Sequence, residues 1–150
     1  MTGLMRRGWG MAAAAAAILS VSGCADGMGG SKASLSAQLS GAAEVPPKTV
    51  AGHGAASLSL DRNSKTLSWE ITYTGLTAEA RAAHFHGPAA PDANAGVAVP
   101  IQVGASPMKG SAVLTDAQVA DLLAGRYYIN IHTAANQAGE IRGQVRADSR

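Results

Sequence analysis

Cysteine is almost missing from this chain. Its 150 residues include a single one, Cys24, so no internal disulfide framework is available to staple the fold. Aromatic residues are scarce as well, at 4%, with Phe85 the sole phenylalanine. A core must therefore be assembled mainly from Ala, Val, Leu and Ile, and the 18 glycines imply many tight turns. Charge is also sparse, at 15%, and no run of Lys and Arg matches a row of phosphates, which excludes nucleic acid as a partner. Neither a Gly-x-Ser-x-Gly elbow nor a phosphate-binding loop occurs, which argues against hydrolase and nucleotide chemistry. Cys/His zinc-finger spacing is absent too, so a metal would occupy a preformed site and would not nucleate folding.

What is present begins with a targeting pattern. Residues 1–23 combine basic Arg6 and Arg7, an apolar run from Trp9 to Val21, and small residues after it, the layout of an export signal. The run is shorter than the ~20 residues a spanning helix needs. "VSGC", residues 21–24, resembles the lipobox of bacterial lipoproteins, which implies cleavage before Cys24 and acylation of its new N-terminus. The expected location is then outside the cytoplasm, held at a membrane surface by lipid. Of the 12 basic residues, removal of Arg6 and Arg7 leaves 10 against 10 acidic ones, so the mature protein is formally neutral. Residues 24–34 are rich in Gly and Ser and read as a lipidated flexible tether. One folded domain is expected over 35–147, a length that allows a single core.

Within that domain the hydrophobic pattern has period two. "ASLSLDRNSKTLSWEITYTG", residues 56–75, alternates on both sides of a polar turn at Arg62–Lys65. Such a turn places Leu60 opposite Leu67, Leu58 opposite Trp69 and Ala56 opposite Ile71, so one face is wholly apolar. "GVAVPIQVG", 96–104, reads as an edge strand or a bulge because of its proline. "TDAQVADLLAG", 115–125, is the exception: Thr115 as N-cap, Val119, Leu122 and Leu123 at helical spacing, and Gly125 as stop define one short helix. "RYYINIHT", 126–133, and "GEIRGQV", 139–145, close the chain as two strands joined by "AANQA". Seven or eight short strands and one helix predict an all-β, antiparallel, immunoglobulin-like Greek-key sandwich, with a closed barrel as the second choice.

Strand parity singles out the histidines. Tyr127, Ile129 and Ile131 share one face, and Tyr128, Asn130 and His132 the other. A five-residue loop after Thr133 sets His132 opposite Glu140 and Asn130 opposite Arg142. In "ARAAHFHGPA", 80–89, His84 and His86 lie together, opposite Phe85. Three imidazoles on one polar face can hold copper or zinc, with Glu140 as orienting group or direct ligand and Asn130 and Arg142 beside it. His53, in "AGHGAAS", is a further possible ligand. The alternative is ordinary polar packing: imidazoles bonded to carbonyls, Asn130 or Glu140, and Arg142 paired with Glu140 as a surface ion pair. Glu44, in "AEVPPK", reads as a strand exit.

"AHFHGPA", the helix running into "AGRYYINIHT", and "GEIRGQV" together resemble the CHRD domain, the repeat first named in chordin and found singly in many bacterial exported proteins. The resemblance spans roughly residues 34–147. It implies an all-β immunoglobulin-like sandwich and carries no activity with it. Two functions follow for a tethered module of this kind. One is non-catalytic binding of a protein or other component of the cell envelope; the other is metal binding or metal redox at His84, His86 and His132.

Overall fold

The computed structural model describes residues 30–149; the expected export signal, Cys24 and most of the expected tether lie outside them. Among the described residues nine strands form: β1 (Lys32–Ser40), β2 (His53–Asp61), β3 (Thr66–Thr74), β4 (Ala80–His86), β5 (Val97–Ile101), β6 (Met108–Val113), β7 (Tyr128–Thr133), β8 (Ile141–Gln144) and β9 (Arg146–Ala147). A 3-10 turn, Gly41–Ala43, follows β1, and helix α1 spans Asp116–Leu123. β1 takes in Lys32, Ala33 and Ser34, whose small and polar composition suggested a tether. Pairing with β2 accounts for this, since Lys32 lies opposite Asp61 and Ala33 opposite Leu60.

The β2–β3 hairpin has the expected register at all three apolar pairs. Asp61 fixes its turn by accepting from the backbone N–H groups of Asn63 and Ser64, and Lys65 closes it with a positive φ of 56°. Thr115 caps α1 by accepting from the Gln118 N–H, while the Gln118 side chain accepts from the Thr115 N–H, a reciprocal capping box. Gly125, at φ +71°, supplies the left-handed residue that stops the helix. β5 is an end strand, and its pairing with β4 is also irregular between Phe85 and His86. Its proline is tolerated there because an outer edge needs no donor.

All pairings are antiparallel, and they run without a break in the order β5-β4-β7-β8-β1-β2-β3-β6, with β9 added on β1. The expected all-β antiparallel class with one short helix is therefore present. Two separate sandwich sheets are not: the ladder is continuous through β8 and β1, which meet at Ser40 and Arg142. The sheet curls until it is nearly closed, so that Trp69 of β3 meets Phe85 of β4 edge-to-face, with ring centroids 5.1 Å apart, although the two strands lie well apart in the pairing order. Leu35, Leu60, Leu67, Ile71, Phe85, Ile129, Ile131 and Ile141 fill the interior with almost no exposure. This closure gives β4, β7 and β8 an outer face, and the histidines stand on it.

Candidate metal centre

Alternation along β4 turns Ala83 and Phe85 into the core and His84 and His86 outward. β7 pairs with β4 so that His86 faces Tyr128, His84 faces Asn130 and Ala82 faces His132. His132 is thus diagonal to His84, and the rings come together. Centroid separations are 5.1 Å for His84 and His132, 5.4 Å for His84 and His86, and 6.2 Å for His86 and His132. One nitrogen from each of the three lies within 4.8 Å of the others.

The hydrogen bonds settle much of the protonation. His86 Nδ1 is 3.0 Å from the Ala95 carbonyl and His132 Nδ1 is 2.9 Å from the Gln137 carbonyl; a carbonyl only accepts, so both Nδ1 atoms carry the proton. Nε2 is the other nitrogen of each ring. That of His132 sits 3.2 Å from His84 Nδ1, which donates to it. That of His86 is buried and has no partner among the described residues, an arrangement that costs about 1–3 kcal/mol when nothing fills it. Burial, then the neighbouring His132 and His86, holds the His84 pKa below the ordinary value. His132 is lowered too, chiefly by burial, against the opposing Gln137 carbonyl. Both rings are therefore neutral at pH 7, the form that ligates a metal.

The surrounding shell differs from expectation. Glu140 does not join the histidines: fully buried, its carboxylate accepts from Thr77 N–H at 2.7 Å, Thr77 Oγ1 and Thr133 Oγ1 at 2.6 Å, and Asn136 Nδ2 at 3.0 Å. Four donors on neighbouring loops and strands outbid a single imidazole. Burial raises its pKa, but the Thr133, Thr77 and Asn136 bonds together outweigh it and hold the carboxyl below its usual range. Arg142 does face Asn130 across β7 and β8, yet it forms no surface ion pair among the described residues. It is buried at 1% exposure, lies 3.5 Å from the Tyr128 ring centroid, and donates to Asn94 Oδ1 at 3.0 Å and the Ala93 and Ala90 carbonyls at 2.8 and 3.4 Å. Those carbonyls belong to the loop between β4 and β5, which folds over a face that parity alone assigned to solvent. Tyr128 in turn stacks on His86, 4.8 Å apart and 5° from parallel. Asn130 is buried beside them, with its Oδ1 unpartnered. His53 is exposed at the start of β2, bonded to the Ala51 carbonyl, and takes no part in the cluster.

Glu44 is the residue that sequence reasoning passed over. It is no mere strand exit: it is 4% exposed, and its Oε1 has no partner among the described residues. Burial raises its pKa to about 7, against the opposing charges of Arg142 and Lys48. Gly139, at φ +126°, leaves room for it, since a Cβ there would fall 2.5 Å from Glu44 Oε1. The available signal was the apolar setting of a lone acid, between two alanines and Val45-Pro46-Pro47.

A cavity of about 440 Å³ opens beside the rings, lined by Arg81, Ala82, His84, His132 and Gln137 among others. With this geometry established, the comparison with known families is decisive: the model of the CHRD domain matches residues 35–145, which include all three clustered histidines. The chain belongs to the CHRD domain family. No curated protein and no solved structure matches it. Membership of the CHRD family fixes kinship without assigning chemistry.

Proposed function

We propose that this CHRD domain binds one copper or zinc ion through His84 Nδ1 and the Nε2 atoms of His86 and His132. The observation that carries the reading is the convergence of one nitrogen from each of the three rings within 4.8 Å, in a cluster where buried His86 Nε2 has no partner among the described residues. Ligating histidines characteristically donate their second ring N–H to a carbonyl or carboxylate, which fixes tautomer and orientation; Ala95 and Gln137 serve His86 and His132 in this way. The ion takes the place of the proton shared by His84 and His132, and His84 carries that proton on Nε2 instead. Three imidazole nitrogens suit copper or zinc.

Ligand-induced stabilisation tests this directly. At an ion concentration one hundred times the dissociation constant, binding contributes about 2.7 kcal/mol, enough to raise Tm by several degrees. Zinc and copper should do so, magnesium should not, and His86→Ala should abolish the rise while His53→Ala leaves it intact. An unchanged Tm with both copper and zinc would remove the reading.

The same proposal places the domain in the cell envelope as a non-catalytic binding module, tethered by lipid on Cys24. Supporting it are the basic and apolar start and "VSGC". Cells fed a clickable fatty acid should label the natural chain and fail to label Cys24→Ser. Equal absence of label from both would contradict the anchor.

A further inference from the structure

Three neutral imidazoles leave the two positive charges of a bound ion uncompensated, in a site where His86 is only 8% exposed and its partners half-buried. Glu140, the one carboxylate expected opposite His132 from the sequence, is held by Thr77, Thr133 and Asn136. Among the described residues no acidic one lines the cavity onto which His84 and His132 open. A cation does. Arg81 and Ala82 are consecutive in β4, so regular alternation would send them to opposite faces, yet both line this cavity with His84 and His132. The register of β4 on β7 shifts between Ala80 and Ala82, and a bulge of this sort re-aims a side chain. Arg81 is exposed and makes no ion pair among the described residues.

We infer that the open coordination position of the ion takes a small exogenous anion, one with a lone pair for the metal and a size suited to the mouth between His84, His132 and Arg81. The guanidinium of Arg81 draws the anion in and faces it once bound, and the negative charge missing from the protein ligands arrives with it. Azide, a halide or a small carboxylate has the required chemistry. This inference rests on the metal reading above and adds to it the kind of ligand the metal accepts.

Copper(II) and azide test the two ideas separately. The purified chain is loaded with copper, its copper content measured, and azide titrated while the azide-to-copper charge-transfer absorption is followed. One azide per copper should bind saturably, and Arg81→Gln should weaken azide binding about three- to fivefold, the scale of a solvent-exposed charge interaction. Arg62→Gln, a change at a distant exposed cation, should leave the azide affinity where it was. Copper uptake at one per chain with no azide absorption, or with equal azide affinity in Arg81→Gln, overturns the anion site and spares the metal. Failure to take up copper overturns both.

Discussion

Glu44 and Glu140 are both buried carboxylates, and their surroundings push their protons in opposite directions. Glu140 accepts four hydrogen bonds and is held ionised. Glu44 meets no donor at Oε1 among the described residues and holds its proton up to about 7. Between the unfolded value of 4.5 and about 7 the folded chain keeps a proton that the unfolded chain has lost. Stability from Glu44 is then complete below about 4.5 and is lost as the pH rises through 7. Glu44→Gln should therefore melt several degrees above the natural chain at pH 8 and at the same temperature near pH 4.5. Thermal scans at the two pH values check this, and an equal difference at both would show that Glu44 does not titrate as described. Neither environment was legible from the sequence. The expected facing of His132 by Glu140 does not form, because the β7–β8 ladder ends at Ile131 and Ile141, and Glu140 bonds instead to Thr77, 63 residues away.

At the scale of elements, what depended on neighbours in the chain was readable and what depended on loops was not. The β2–β3 register, the ends of α1 and the facing of Asn130 by Arg142 each follow from period-two or helical patterning plus turn chemistry. The cover over the polar face does not, because residues 87–96 show only a Gly/Pro/Ala-rich composition that marks a loop without saying where it lies. Arg142 pins that loop through the Ala90 and Ala93 carbonyls, and the same loop supplies Ala95 to hold His86 Nδ1. Arg142→Met should thus loosen the orientation of a ligand it never touches. Zinc affinity is predicted to fall about tenfold, at the lower end of what loss of an orienting partner costs, as measured by competition against a chromophoric chelator. Undiminished affinity would show that His86 needs no such support.

For the whole molecule, alternation and turns specify strands but not how a sheet closes. Continuity through β8 and β1 is a long-range pairing of the two ends of the domain, and it yields one curled, nearly closed sheet where two sheets were expected. The curl places Phe85 against Trp69 inside and His84 and His86 outside the same short strand. A firmly packed wall thereby carries three imidazoles, two of them oriented by backbone carbonyls, which is the preorganisation a metal site requires. X-ray absorption at the metal edge of the copper- or zinc-loaded protein tests this claim most directly. The account predicts a first shell at about 2.0–2.1 Å with scattering from three imidazole rings, reduced to two rings in His132→Ala; a shell with one imidazole or none would contradict it.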